Sequence, residues 1–167
     1  MSERRAGWKR VGDQLLALMV LLAVCFGAAA AGGAATYPNV EGWYALLAKP
    51  SWTPPDWLFG PVWTALYASM AVAAWLVWRR QGLAGARGAW ALFAVQLALN
   101  VGWSWLFFGL RSPGLALLDI VVLLVAIAAT LAAFWRRSLA AGLLLVPYLG
   151  WVGFAALLNF TIWMMNA

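Results

Sequence analysis

A few charged residues divide the chain into long apolar stretches, and this pattern predicts membrane-spanning helices. Each stretch is continuously apolar and long enough for the about 20 residues with which a helix crosses the hydrocarbon core. Barrel strands are shorter and alternate between apolar and polar positions, so a barrel does not fit. Because the bilayer core offers the backbone no water, helix is the expected state. The predicted spans are 14–36, 57–79, 88–109, 113–135 and 139–164.

Short connections predict that consecutive spans lie next to each other and run antiparallel. The turns after the third and fourth spans are Ser112-Pro113-Gly114 and Arg136-Arg137-Ser138. The only long connection is 37–56, in which residues 41–48 are predicted to form a short amphipathic helix that ends at Lys49-Pro50. The predicted fold is an all-α membrane protein, a five-transmembrane-helix bundle whose short helical first loop acts as a lid. The aromatic residues of this loop are equally typical of an interfacial belt, so composition alone leaves both interpretations open.

Composition agrees with a membrane protein and removes several classes of function. Of the 167 residues, 66% are hydrophobic and only 10% are charged, whereas a soluble domain carries about 25% charged residues. The net charge is +6, but the basic residues form short clusters between apolar runs, which argues against a nucleic-acid partner. The absence of histidine excludes His-based zinc sites, bis-His haem sites and Ser-His-Asp triads, and no metal site is predicted. The single cysteine, Cys25, cannot form an intrachain disulfide.

The distribution of basic residues predicts a cytoplasmic N terminus if the membrane is a bacterial plasma membrane. In the predicted topology one side receives only Lys49 and Arg111. The other side receives Arg4, Arg5, Lys9, Arg10, Arg79, Arg80, Arg87, Arg136 and Arg137. The first span also resembles a signal peptide with a small-residue cleavage site at 28–31. Its apolar stretch is longer than the about 7–15 residues of a signal core, which favours a retained span.

Three motifs in order along the chain carry a resemblance to a known family. They are WYALLAKPSWTPPDWLFGPVWTALY at 43–67, AVQLALNVGWSWLFFG at 94–109 and VPYLGWVGFAALLNF at 146–160. At this spacing they closely resemble the signature of the TspO/MBR family, the tryptophan-rich sensory proteins, which includes the mitochondrial translocator protein. The abundance of tryptophan, with 13 copies, fits as well. The resemblance covers a predicted membrane domain over 14–165 and leaves out a basic N-terminal extension over 1–13.

The resemblance implies a membrane sensor, regulator or carrier that binds protoporphyrin IX or a haem-related tetrapyrrole as a ligand, without a resident cofactor. Family members also bind benzodiazepine-type and isoquinoline drugs, and some bind sterols. The sterol motif of eukaryotic members is not intact here, since Phe160 replaces its tyrosine and no basic residue follows. Two alternatives stay open: a light- and oxygen-dependent porphyrin-degrading enzyme, and a transporter of amphipathic small molecules. The sequence contains no metal-ligand cluster, nucleotide loop or acid–base pair that supports ordinary catalysis.

Matched residue by residue, the resemblance implies a ligand pocket under the first loop. The expected ligand-binding residues are Trp43, Tyr44, Trp63, Tyr67, Asn100, Trp103, Asp119, Trp151 and Ala155. Trp43 and Trp151 match the two tryptophans implicated in porphyrin degradation and are the candidate catalytic residues. Helical spacing independently places Trp63 and Tyr67 on one helix face. Asp119 is a lone acid in an apolar span, which suits either a role linked to the ligand or a buried hydrogen bond between helices.

A stripe of small residues in the third span predicts a homodimer in the lipid bilayer. Ala94, Ala98 and Gly102 lie at positions i, i+4 and i+8 and form a smooth face that permits close helix approach. The resemblance points the same way, since members of the family are commonly dimeric. The alternative is that the stripe packs against another helix of the same chain. Asn100 and Trp103 lie on a different part of the helix, so one span can serve both pocket and partner.

Overall fold

The computed structural model describes residues 2–167, with side chains from Val11 onward, and it contains five long helices. They are α1 (Ser2–Asn39), α2 (Asp56–Gln81), α3 (Arg87–Ser104), α4 (Pro113–Trp135) and α5 (Leu139–Asn166). Each belongs to a segment long and apolar enough to cross a membrane, and no strand forms among the described residues. The predicted five-helix membrane bundle is therefore confirmed. The proposed extension 1–13 falls mainly outside the described side chains, and its separation from the membrane domain stays a prediction.

The helices form a closed ring in the order α1, α2, α5, α4 and α3, in which each helix contacts the next. The side of α2 that faces the interior of the bundle consists mainly of small or flexible residues. Met70, Ala71 and Ala74 are fully buried there, as is Cys25 of α1. Because alanine lets helix backbones approach closely, this composition favours tight packing inside a membrane, where packing replaces the hydrophobic effect between helices.

One end of the bundle, which we call the basic end, contains the α2–α3 and α4–α5 connections. Arg80 Nη1 donates to the backbone carbonyl oxygen of Arg137 (2.7 Å), and Arg137 Nε donates to Gln81 Oε1 (3.0 Å). Ser138 precedes α5, and its Oγ accepts from the backbone N–H of Ala141, as expected of an N-cap. The side chains at this end thus tie the α2 and α4 termini together.

The first connection is shorter than the sequence predicts. Helix α1 runs to Asn39 and continues as a π-helical turn over Val40–Tyr44, so the predicted separate helix over 41–48 is the end of α1 itself. Pro38 lies inside α1 and removes one backbone donor, which normally ends a helix. A π-helical turn shifts the hydrogen-bonding pattern by one residue and lets the helix continue beyond it. The irregular connection to α2 is reduced to residues 47–55.

The connection 47–55 lies at the opposite end of the bundle, which we call the loop end, and hydrogen bonds hold it in place. The Nζ of Lys49 donates to the backbone carbonyl oxygens of Tyr44 (2.7 Å), the last residue of the π-helical turn, and of Ala45 (3.2 Å) and Leu47 (3.1 Å), which follow it. These bonds satisfy acceptors that a helix end leaves free. Asn166 of α5 pairs with the backbone of Ala48, accepting from its N–H and donating to its carbonyl oxygen, both at 2.9 Å.

Candidate functional site

A cavity of about 650 Å³ lies inside the bundle at the loop end. Helices α1, α2, α3 and α5 line it together with two π-helical turns, Val40–Tyr44 after α1 and Trp105–Gly109 after α3. No described residue of α4 lines it. The turn Val40–Tyr44 bounds the cavity, but residues 45–55 do not line it. The parts of the predicted lid that reach the cavity are therefore the end of α1 with its π-helical turn, and Asp56 at the start of α2. The volume lies within the about 300–1,000 Å³ typical of small-molecule sites.

Most of the predicted site residues meet at this cavity. They come from the turn after α1 and from α2, α3 and α5, which are far apart in sequence. Those that line it are Tyr44, Trp63, Tyr67, Asn100, Trp103, Trp151 and Ala155. Residues predicted to share a helix face, such as Trp63 with Tyr67, do share the face that lines the cavity.

Two predicted residues, Trp43 and Asp119, do not belong to the cavity lining. Trp43 is half-buried and packs edge-on against Phe107, with ring centroids 5.7 Å apart. Its neighbour Tyr44 takes the inward position on the π-helical turn. Asp119 lies on α4 and faces α3, where a Cβ added to Gly102 would lie 3.4 Å from its Oδ1. Its Oδ2 is buried without a hydrogen-bond partner, so Asp119 marks the α3–α4 contact and not the cavity.

The walls of the cavity are aromatic, and ring-to-ring contacts hold them in place. Trp103 stacks on Phe107 with ring centroids 5.3 Å apart and planes inclined by 26°. Trp151 meets Phe59 edge-on at 5.7 Å. The Nε1 of Trp103 donates to Asn159 Oδ1 (3.0 Å), which fixes its ring on α5. Rings held in this way present fixed apolar faces to a flat ligand.

A chain of buried polar side chains begins at the inner end of the cavity. Tyr67 Oη donates to Asn100 Oδ1 (2.5 Å), and Asn100 Nδ2 donates to Tyr148 Oη (3.0 Å). Tyr148 Oη donates in turn to Gln96 Oε1 (2.9 Å), and Gln96 Nε2 lies 3.8 Å from the sulfur of Met70. Of these hydrogen-bonded residues, only Tyr67 and Asn100 line the cavity. They offer a ligand two neutral polar groups whose orientation is fixed from behind.

The cavity opens sideways between α1 and α2. Every lining residue that is exposed belongs to α1 with its π-helical turn or to α2; these are Phe26, Ala30, Tyr37, Glu41, Asp56, Gly60 and Thr64. Lining residues of α3 and α5 are buried or half-buried. Tyr37 is 79% exposed and stands at the edge of this opening. The opening therefore lies on the outer surface of the bundle, with Glu41 and Asp56 at its loop end.

Several residues of the site were missed from the sequence. Tyr148 and Gln96, which support Asn100, and Phe59, which packs on Trp151, were not singled out. Gln96 lies four residues before Asn100 and Tyr148 three before Trp151, so helical spacing places both on useful faces. Helical spacing could have identified Gln96 and Tyr148 as candidates, but it does not show that they meet each other between α3 and α5.

Comparison with known proteins agrees with the family resemblance and with the fold. The model of the TspO/MBR family matches residues 19–164, which include every residue that lines the cavity. The chain is 46% identical over 160 residues to the tryptophan-rich protein TspO of Chlorobaculum tepidum, covering 93% of this chain and 99% of that protein. It is 44% identical over 126 residues to the translocator protein of Homo sapiens, covering 74% and 75% of the two chains. It is 41% identical over 148 residues to the tryptophan-rich sensory protein of Cereibacter sphaeroides, covering 89% and 90%. The chain is an integral, multi-pass membrane protein and belongs to the TspO/MBR family.

Proposed function

We propose that the cavity binds protoporphyrin IX or a related flat tetrapyrrole, and that the protein acts as a membrane sensor, regulator or carrier of such ligands. The observation that carries this proposal is the combination of aromatic walls with a fixed pair of neutral polar groups at the inner end. Trp63, Trp103 and Trp151 bring indole rings to one cavity from three helices. A tetrapyrrole ring has a large apolar face that can stack on such walls, and its polar atoms can hydrogen-bond to Tyr67 or Asn100.

We expect protoporphyrin IX to quench the intrinsic tryptophan fluorescence saturably in the dark, because three indoles line the cavity. Trp63→Ala is expected to weaken binding about tenfold, since it removes one stacking wall. Asn100→Ala is expected to weaken binding and also to lower the melting temperature, because it removes the acceptor of the Tyr67 hydroxyl and the donor to the Tyr148 hydroxyl. Titration of the purified protein in detergent measures the affinity, and thermal unfolding measures the stability.

Trp135 supplies a matched control for Trp63, since it lies at the basic end, 43% exposed and away from the cavity. Trp135→Phe should leave the affinity unchanged. Unchanged affinity in both Trp63→Ala and Asn100→Ala would place the porphyrin elsewhere. Working in the dark separates binding from light-dependent degradation. For that second activity the cavity offers weaker support, because only Trp151 of the candidate pair lines it.

We also propose that two copies of the chain associate through α3. Ala94 and Ala98 are exposed on the outside of the bundle, beside a shallow apolar groove between α1 and α3. Gly102 is half-buried, because the side chain of Asp119 on α4 lies against it. Ala94 and Ala98 are thus accessible to a second copy, whereas Gly102 already packs against α4 of the same chain.

Ala98→Leu is expected to shift the detergent-solubilised protein from dimer towards monomer, because a bulky side chain prevents close approach at the stripe. Porphyrin quenching should persist, since Asn100 and Trp103 line the cavity on the other side of α3. Light scattering coupled to gel filtration measures the mass of the particle. Ala128→Leu, at an exposed alanine of α4, is the control and should not change it. A dimer that survives Ala98→Leu would rule out this interface.

We propose that the basic end lies in the cytoplasm. Arg79, Arg80, Arg87, Arg136 and Arg137 lie at or next to the helix ends there, whereas the loop end has Lys49 and Arg111. An excess of basic residues marks the cytoplasmic side of bacterial membrane proteins. A reporter enzyme that is active only outside the cytoplasm, fused after α5, is expected to be active in bacteria. An inactive reporter on a stable fusion would reverse the orientation.

A further inference from the structure

The shallow apolar groove between α1 and α3 has a volume of about 400 Å³ and lies towards the basic end of the bundle. All of its lining residues are apolar or aromatic, and it shares none of them with the cavity. Phe93 and Leu97 of α3 are buried and form its floor, whereas Val24 of α1 and Ala98 of α3 are exposed and form its rims. The groove is therefore a second, separate apolar site on the outside of the bundle.

The groove is open because α1 is held by different helices at its two ends. Near the basic end, Trp75 Nε1 of α2 donates to the backbone carbonyl oxygen of Gln14 (3.1 Å). Near the loop end, Trp105 Nε1, in the turn that follows α3, donates to the backbone carbonyl oxygen of Ala31 (3.1 Å). Helix α1 thus stays with α2 at the basic end and meets the α3 segment only at the loop end, which leaves the groove between them.

An exposed arginine stands at the basic end of this groove. Arg87 is the first residue of α3. The groove-lining residues that follow it at i+3, i+7, i+11 and i+14 are Trp90, Ala94, Ala98 and Val101. This helical spacing places Arg87 on the face of α3 that lines the groove, one turn closer to the basic end than Trp90. The Nε1 of Trp90 donates to the carbonyl oxygen of Gly82 (3.2 Å), which fixes its ring near the helix end, where tryptophan is typical of a membrane interface.

The surroundings of Arg87 suit an anion. Arg80 and Arg137 donate to acceptors of the protein, whereas no described residue accepts a hydrogen bond from Arg87. Five arginines lie at this end against one described carboxylate, that of Asp13, so the charge of the end is positive. A Cβ added to Gly88 would meet nothing within 4 Å, so there is open space beside Arg87. No side chain caps α3, and the backbone N–H groups of its first turn add to the attraction.

The length of the groove matches one leaflet of a bilayer. Trp90 and Val101 are 11 residues apart, which corresponds to about 16 Å along a helix axis. The hydrocarbon core is about 30 Å thick, so one leaflet contributes about half of this depth. An acyl chain that enters from the leaflet at the basic end can therefore follow the groove over its whole length, with its headgroup at the level of Arg87.

We propose that the α1–α3 groove binds an acyl chain of an anionic phospholipid, whose phosphate pairs with Arg87. The apolar floor accommodates the chain, and the cation selects the headgroup, as basic pockets between membrane helices do for anionic lipids. The chain lies on the floor between α1 and α3, and it leaves the exposed rim residues Ala94 and Ala98 to the proposed contact with a second copy. The site shares no residue with the cavity, so this inference does not depend on porphyrin binding.

The test compares dioleoylphosphatidylglycerol with dioleoylphosphatidylcholine, which have the same acyl chains and differ in net charge. Native mass spectrometry counts the lipids that bind to the purified protein when each is titrated in a non-ionic detergent. The parent protein is expected to bind the first phosphatidylglycerol about fivefold more tightly than phosphatidylcholine, the effect of one cation close to an anionic lipid. Arg87→Gln should remove this difference by weakening the binding of phosphatidylglycerol alone. Ala28→Phe, which fills the groove from α1, should weaken both lipids about fivefold through lost chain contacts.

Two further variants are matched controls. Arg136→Gln removes the same charge from an exposed arginine at the same end but outside the groove, and Ala128→Phe places the same ring on the outer face of α4. Neither should change the affinity for either lipid. Equal weakening of phosphatidylglycerol by Arg87→Gln and Arg136→Gln would mean attraction to the whole basic end and would overturn the site.

Unchanged lipid affinities in a folded Ala28→Phe variant would also overturn the proposal. If that variant in addition changes from dimer to monomer, a second copy of the chain and not a lipid occupies the groove. The melting temperature of each variant shows whether it is folded. Arg87 is exposed, so the comparison of Arg87→Gln with Arg136→Gln decides the question even if Ala28→Phe does not fold.

Discussion

Gly142→Ala is expected to lower the free energy of unfolding by about 3 kcal/mol, near the upper end of the range for overpacking a tight contact. Gly142 lies in the first turn of α5 and packs directly on Trp135, the last residue of α4. A Cβ at this position would lie 2.6 Å from Cε3 and 2.9 Å from both Cβ and Cα of Trp135. The contact includes backbone, so a side-chain rotation cannot relieve it. Unfolding by a denaturing detergent, followed by circular dichroism, measures the loss.

Gly150→Ala is the matched control on the same helix. Nothing lies within 4 Å of a Cβ added to Gly150, which faces outward. Alanine has the higher helix propensity, so this variant should be unchanged or more stable by up to about 1 kcal/mol. Equal stability of the two variants would mean that α4 and α5 are not joined as closely as the Gly142–Trp135 contact requires.

Ala155→Phe is expected to reduce porphyrin affinity at least about thirtyfold while the protein stays folded. Ala155 lines the cavity from α5 between the levels of Trp151 and Leu158. A phenyl ring there occupies the space that a stacked ligand needs, and burying it in an existing void adds apolar contacts without displacing the backbone. Fluorescence titration with protoporphyrin IX gives the affinity, and the melting temperature should be unchanged or higher.

Leu157→Phe, two residues further along α5, places the same ring outside the bundle. Leu157 is 65% exposed and does not line the cavity. This variant should bind porphyrin as the parent protein does. Full affinity in Ala155→Phe, together with a normal melting temperature, would show that the ligand does not occupy the space between α5 and the other walls.

The bounds of a helix could be predicted from the sequence wherever charged residues or prolines lie at the ends of that helix. The sequence predicts the fourth span at 113–135, and α4 has these bounds, because Pro113 suits the first turn of a helix. The end of α1 could not be predicted in the same way. Pro38 and Glu41 are typical of a helix boundary, but a π-helical turn over Val40–Tyr44 continues the helical segment to Leu46. Such a turn depends on how the helix end packs, and it has no reliable signature in local sequence.

The site could be predicted as far as helical spacing and family resemblance reach. Spacing places Trp151 and Ala155 on one face, and the structure puts that face on the cavity. It does not say which neighbour a face meets. The resemblance places Asp119 among the expected ligand-binding residues and leaves a buried hydrogen bond between helices as the alternative, and no described residue of α4 lines the cavity. The hydrogen bonds that join Asn100, Tyr148 and Gln96 depend on how far α3 and α5 are shifted along their axes relative to each other. Only the packing of the bundle sets that shift.

The pairing of Asn166 with Ala48 has a consequence for the order in which the protein is made. The two residues are 118 positions apart, so the pairing encloses most of the chain in one loop. Contacts of such long range form late, after the intervening segments have been arranged. During synthesis α1 and α2 enter the membrane long before the end of α5 leaves the ribosome. The segment that follows the cavity-bounding turn is therefore tied to α5 only once the fifth helix is in place, although Lys49 can make its local hydrogen bonds earlier. Because α5 also supplies part of the lining, a nascent chain holds an unfinished ligand site until that moment.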